Sequence, residues 1–205
     1  MTLLNKNSFI LAVTGGLACG KSEVGRILQQ HGFAVCDADH LAHDLTKKNT
    51  PIYQAILNTF GQKILTNNKE ISRPTLGKIV FKNPHQLQKL NDIIHPEIRK
   101  ILIKKIKTFR TNAQPAALLV PLLFEAHMDN LDWDTILCVS ANKEIIFDRL
   151  AKRGLNKNES LARLAAQLPL TQKESRSNIV LHNSGTLNDL EKNLLAIVNK
   201  IQNQK

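Results

Sequence analysis

The sequence predicts an α/β fold, a parallel sheet flanked by helices, with a helical segment inserted into it. Three observations predict this. The first 40 residues run apolar stretch, glycine loop, helical stretch, apolar stretch, and such a βαβ succession implies parallel strands joined by a right-handed crossover. Short apolar runs recur at residues 116–120, 135–139 and 179–181, with helical spacing between and after them. The middle third of the chain is helical in pattern and has no strand-like run.

Each element follows from local pattern. Residues 9–14 (FILAVT) are apolar on both faces, as a buried parallel strand is. Residues 22–31 place Val24, Ile27 and Leu28 on one helical face, and Gly32 ends the helix as a left-handed cap would. Residues 33–36 form a second buried run, closed by Asp37-Ala38-Asp39. A helix starts near His40. Another follows Pro51, with Ile52, Ala55, Ile56 and Phe60 at helical spacing, and stops at Gly61. Residues 62–75 carry turn chemistry, Asn67-Asn68 and Arg73-Pro74. Helical pieces are expected at 75–81 and 84–94, then a new helix from Pro96 to about 108. Residues 116–120 read as a strand that Pro121 turns out of the sheet. Beyond it come a strand at 135–139, a helix at 143–153 ended by Gly154, and a helix at 159–168 capped by Asn158. A last strand at 179–181 and an amphipathic helix at 187–201 close the chain.

Composition narrows the class. A chain of 205 residues with 42 % apolar content suits one domain, or one domain with an inserted lid, and excludes general disorder. Only 4 % is aromatic, so the core rests on aliphatic side chains. The net charge of +11 has two readings, an anionic partner or a lysine-rich solvated surface. The lysines are scattered, and one Tyr and one Trp offer little base stacking, so a polyphosphate is favoured over nucleic acid. Cys19, Cys36 and Cys138 are odd in number and widely spaced, which points to neither disulfides nor zinc. Residues 1–8 lack the apolar core of a signal peptide, and no apolar run approaches the roughly 20 residues that span a bilayer. The expectation is a cytoplasmic protein with no membrane partner, a monomer or weak homo-oligomer.

The chemistry begins at Gly15-Gly16-Leu17-Ala18-Cys19-Gly20-Lys21-Ser22, which satisfies G-x-x-x-x-G-K-[ST] between an expected strand and an expected helix. Triphosphate oxygens need many donors close to the backbone. Glycines let the chain wrap with its N–H groups inward, and the helix N-terminus adds free amides and the positive end of its dipole. Gly16, Leu17, Ala18, Cys19, Gly20, Lys21 and Ser22 are the expected ATP cradle, with Lys21 reaching the β- and γ-phosphates. The Ser22 hydroxyl suits Mg²⁺, a hard cation that prefers oxygen. The loop predicts a P-loop NTPase core around the parallel sheet.

Asp37 and Asp39 close the second strand, and open parallel sheets bind ligands beyond the carboxyl ends of their strands. Alternation along a strand end would aim both carboxylates the same way. One would orient an acceptor hydroxyl while the other assists Mg²⁺ or its waters. The competing reading is an acidic turn that caps the helix from His40.

At these residues the chain resembles the dephospho-coenzyme A kinases. The resemblance is carried by Val13-Thr14 with the P-loop, Asp37-Ala38-Asp39, Phe60-Gly61, Arg73-Pro74-Thr75-Leu76 and Val80-Phe81. It continues through His95-Pro96-Glu97-Ile98-Arg99, Val120-Pro121-Leu122-Leu123-Phe124-Glu125, Arg149-Leu150, Arg153, Gln167 and Asn183, in order over about residues 10–195. The resemblance implies transfer of the ATP γ-phosphate to the ribose 3′-hydroxyl of dephospho-coenzyme A, with Mg²⁺. It implies the full fold class, a three-layer P-loop NTPase core with a parallel sheet, a helical substrate-binding insertion and a helical lid. The core would be 9–60, 113–142 and 177–205, the coenzyme-binding insertion 61–112 and the lid 143–176. It implies Asp39 as general base, with Lys21 and Arg149 as its catalytic companions, and Arg153 as a further phosphate ligand. On the acceptor side it implies Asp37, Arg73, His95, Arg99 and Glu125. Surface arginines on an exposed helix, and a histidine that merely starts a helix, are the plainer readings of Arg149, Arg153 and His95.

Three positions depart from the family pattern. Ile146 stands where a glutamine is usual, Ser177-Asn178 where Ala-Asp is usual, and Cys19 where a small Ser- or Gly-like residue is usual. A helix N-terminus would acidify the Cys19 thiol; a small tolerated side chain is the plainer reading. Competing functions are another small-molecule P-loop kinase, acting on a nucleoside monophosphate or shikimate, and a nucleotide-binding regulator or RNA-associated NTPase. A degenerate P-loop with only a structural role is opposed by intact Lys21, Ser22 and Asp39.

Overall fold

The computed structural model describes residues 8–202. Residues 1–7, most of the polar segment read ahead of the first strand, lie outside the described residues, as do 203–205. Five strands, β1 (Ile10–Gly15), β2 (Ala34–Asp37), β3 (Ala116–Leu119), β4 (Thr135–Ser140) and β5 (Ile179–His182), form one sheet in the order β2-β3-β1-β4-β5. All four pairings are parallel, so β1 sits at the centre, with Val13 opposite Leu119 on one side and Leu137 on the other. Every residue of β1 is buried, as its unbroken apolar run requires. Alternation sends Leu11 and Val13 to one face, where they join Val24, Ile27 and Leu28 of α1 (Lys21–Gln30) and Leu190, Leu194 and Val198 of α9 (Leu187–Gln202).

The chain divides into two compact units. One comprises the residues up to Asp37 and again from Ile103; the other is Ala38–Leu102. The sheet belongs wholly to the first. The second is helical: α2 (Ala38–Leu45), α3 (Pro51–Phe60), a 3₁₀ turn at Gln62–Ile64, α4 (Arg73–Val80) and the first part of α5 (Pro84–Thr111). Its core is small and apolar, with Ile56, Phe60, Ile64, Leu76 and Val80 as the buried members. That packing places α3 in the compact helical unit, which begins at Ala38; the division at 60/61 is the one the family resemblance implies. α3 buries its apolar face against this core, so it belongs with the helices that follow it.

Pattern reading also expected a new helix at Pro96, but α5 runs unbroken through it. Pro96 is exposed, while Ile98, Leu102 and Ile106 form a buried stripe at four-residue spacing beyond it. Burial of that stripe outweighs the hydrogen bond and steric fit that an interior proline forfeits. After β4 come α6 (Lys143–Lys152), α7 (Lys157–Ala165) and α8 (Leu170–Arg176). α7 starts two residues earlier than expected, because Asn156 and not Asn158 caps it. Asn156 Oδ1 accepts from the Glu159 N–H at 2.9 Å, and Glu159 Oε2 accepts from the Asn156 N–H at 3.0 Å. α8 was not expected at all. No helix among the described residues is long and apolar enough to cross a membrane.

Candidate active site

The loop between β1 and α1 has the backbone that its glycines predict. Gly15 has φ +141°, and a Cβ there would lie 2.1 Å from the Val139 carbonyl oxygen on the neighbouring strand. Only glycine lets β1 end this close to β4. Gly20, at φ +105°, precedes the first residue of α1. Between them Ala18 also takes a left-handed φ of +59°, and the Cys19 N–H donates to Gly16 O at 3.3 Å to close the turn. The Lys21 ammonium donates to Gly15 O at 3.0 Å and to Gly16 O at 2.7 Å, so its charge lies over the loop. Ser22 is exposed in the first turn of α1.

Two distant side chains fasten this loop. The Arg149 guanidinium, on α6, donates through Nη1 to Ala18 O at 3.2 Å and Cys19 O at 3.4 Å, and through Nη2 to Asn183 O at 3.2 Å. Asn183, just past β5, donates from Nδ2 to Cys19 O at 2.8 Å. The family resemblance implied Arg149 as a cationic phosphate ligand. The structure gives its guanidinium three carbonyl partners, two of them in the P-loop. Arg153, expected beside it, caps the C-terminus of α6 with an exposed side chain.

Cys19 is fully buried, and burial pushes its thiol up, against Lys21 and Arg149, whose positive charges pull it down. The acidified thiol that a helix N-terminus would produce is not found, because desolvation of the thiolate is the larger effect. Cys36 is likewise raised by burial, and Cys138 is pushed up to about 12.

Glu125 follows β3 and is tied to α8. Its Oε1 lies 2.7 Å from Lys173 Nζ and accepts from the Leu168 N–H at 2.9 Å. Lys173 is completely buried and also donates to Pro121 O at 2.7 Å, a carbonyl shared with the Thr14 hydroxyl at 3.4 Å. Glu125 Oε2 is buried and has no partner among the described residues, which leaves an acceptor available to a ligand or water. Lys173 is the functional-site neighbour that sequence reasoning missed. Pro169 ahead of Leu170 was the available signal, since proline opens helices readily.

The remaining candidates divide between the units. Asp37 is the last residue of β2. Asp39 is not on the strand end: the strand stops at Asp37 and α2 begins at Ala38, which puts Asp39 in the first turn of a helix. Strand alternation therefore does not aim the two acids together. Arg73 opens α4, capped by Ser72, and is exposed. His95 and Arg99 are half-buried one turn apart on α5, hence on one face.

Comparison with known proteins adds the following. The family model described as dephospho-CoA kinase matches residues 9–189. A dephospho-CoA kinase of Carboxydothermus hydrogenoformans is 44 % identical over 193 residues, covering 93 % of each chain. One from Bacillus licheniformis is 40 % identical over 91 % of this chain and 94 % of its own. Among solved structures, a Thermus thermophilus protein superposes with TM-score 0.74 at 31 % identity, covering 95 % of this chain and 98 % of that one. A dephospho-CoA kinase from Campylobacter jejuni gives 0.70 at 26 %, with the same coverage. A shikimate kinase from Acinetobacter baumannii, at 10 % identity and TM-score 0.60, shares the fold.

Proposed function

This chain belongs to the dephospho-CoA kinase family, and from that premise we propose that it transfers the γ-phosphate of ATP to the ribose 3′-hydroxyl of dephospho-coenzyme A, giving coenzyme A. The observation that carries the reading is the loop at Gly15–Ser22, a phosphate-shaped backbone at the centre of a parallel sheet, in a chain matched by that family over residues 9–189.

Phosphoryl transfer asks a protein mainly for positioning and charge stabilisation. The amides of Gly16 to Ser22 and the N-terminus of α1 take the phosphates. Lys21 moves from the carbonyls of Gly15 and Gly16 to the β- and γ-phosphate oxygens. The Ser22 hydroxyl is an exposed oxygen donor at the start of α1 and suits Mg²⁺, which binds few protein groups and keeps its waters. Mg²⁺, when bound, neutralises phosphate charge. Asp39 takes the proton of the acceptor hydroxyl, and Arg149 and Arg153 bring positive charge to the nucleotide. Asp37, Arg73, His95, Arg99 and the unpaired oxygen of Glu125 serve the acceptor. In this reading the helical unit binds the coenzyme, residues 143–176 form a lid, and the +11 charge suits two polyphosphate ligands.

The test is coupled ADP release with ATP, Mg²⁺ and dephospho-coenzyme A, beside an Asp39→Asn variant. The parent turns over only with the acceptor present, and the variant loses about 100-fold or more in kcat, the scale of general-base catalysis. No turnover of the parent with this acceptor sinks the reading. Equal turnover of both demotes Asp39 alone.

A further inference from the structure

We propose that Asn183 is a positioning residue for nucleotide binding: with Arg149 it holds the Cys19–Gly20 peptide so that the Gly20 N–H faces the phosphates. The inference rests on the P-loop kinase reading above and assigns a task to a residue outside the loop.

A P-loop binds anions only while its amides face inward. In a trans peptide the N–H and C=O point to opposite sides, and no peptide among the described residues is cis. A group that holds a loop carbonyl outward therefore aims the next N–H inward. Cys19 O is held in this way by two donors, Asn183 Nδ2 at 2.8 Å and Arg149 Nη1 at 3.4 Å. The N–H on the other side of that peptide belongs to Gly20, and it has no acceptor among the described residues. An amide without a partner at a helix start is what an anion site needs.

Asn183 is itself held firmly. Its N–H donates to Ser140 O at 2.7 Å, at the end of β4, and its carbonyl accepts from Arg149 Nη2 at 3.2 Å. The residue is buried, 6 % exposed. The fit to Gly20 is close. A Cβ on Gly20 would lie 2.2 Å from Asn183 Nδ2, in the space the amide occupies. Gly20 is thus required twice, for its φ of +105° and for the room Asn183 needs. The sheet end sets Asn183, Asn183 sets the Cys19 carbonyl, and the carbonyl sets the Gly20 amide.

The experiment compares steady-state kinetics of the parent, Asn183→Ala and Asn183→Asp with Asn178→Ala as control. Asn178 also ties side chain to backbone at this edge of the sheet, accepting from the Ile136 N–H at 2.8 Å. A merely structural role for Asn183 would resemble that control, with a lower melting temperature and unchanged KM values. Positioning predicts that KM for ATP rises about 10-fold or more in Asn183→Ala, as expected when the Gly20 N–H loses its charge-assisted hydrogen bond to a phosphate oxygen. Asn183→Asp rises further, because a carboxylate oxygen then opposes the Cys19 carbonyl. KM for dephospho-coenzyme A stays within about twofold of the parent, and Asn178→Ala leaves both KM values unchanged. Should Asn183→Ala not fold, Asn183→Ser replaces it with the same expected split. A folded Asn183 variant with parental KM for ATP overturns the inference and leaves the kinase reading intact. A parent that neither binds nor turns over ATP overturns the kinase reading itself.

Discussion

At Cys19 two opposing fields meet. The start of α1 and the charges of Lys21 and Arg149 favour the thiolate, while complete burial favours the thiol. Burial is the larger effect, so Cys19 is a packed side chain of the phosphate loop whose thiol is not acidified. Native protein at pH 8 should therefore show almost no thiol reacting with a disulfide reagent within minutes, and three reacting in urea. One promptly reacting thiol that ATP protects would reverse this conclusion. Lys21, two residues on, shows how much of the site is local. Its spacing from Gly15, Gly16 and Gly20 was legible because a phosphate loop is built from consecutive backbone groups. The partners of Glu125 were not, since nothing near it in the chain announces Lys173.

At the scale of elements, α8 makes a contribution that the local pattern hides. Lys173 enters the interior fully buried, and its charge is tolerated because Glu125 Oε1 and Pro121 O both lie at 2.7 Å. Lys173→Met alone leaves the Glu125 carboxylate buried and uncompensated, at a cost of about 3–5 kcal/mol. The pair Glu125→Gln with Lys173→Met should recover most of that loss in urea denaturation. A single variant as stable as the parent would show that the pair is not coupled. Asn156→Ala, which opens the capping box of α7, should cost about 1 kcal/mol, since it removes a surface cap and no buried charge. α5 gives the converse lesson. Its break at Pro96 was a sound local expectation, overruled by a stripe of buried aliphatic residues on the far side of the proline.

For the whole molecule, three buried thiols make stability depend on pH in one direction. All three are raised from an ordinary value of 9.0, Cys138 to about 12. Below pH 9 both folded and unfolded chains hold these protons, and their contribution is fully present. Above it the unfolded chain releases them first, so stability falls as pH rises towards 12. The urea midpoint should drop between pH 8 and pH 10.5, and drop less in Cys138→Ala. Equal slopes in the two proteins would remove Cys138 as a cause.

By itself the sequence determined the class of the fold, the succession around β1, the phosphate loop and the family. These depend on periodicity and on motifs written within about ten residues, where each side chain's neighbours are its neighbours in the chain. The tertiary structure alone decided that Cys19 is buried, that Asp39 opens a helix, and that the helical unit begins at Ala38. It also decided that Lys173 answers Glu125 and that Asn183 holds the Cys19 carbonyl. The contacts that fasten the loop and α8 join residues 164, 131 and 52 positions apart. Burial and the choice of a polar partner depend on what the folded chain brings near, and no local pattern carries that information.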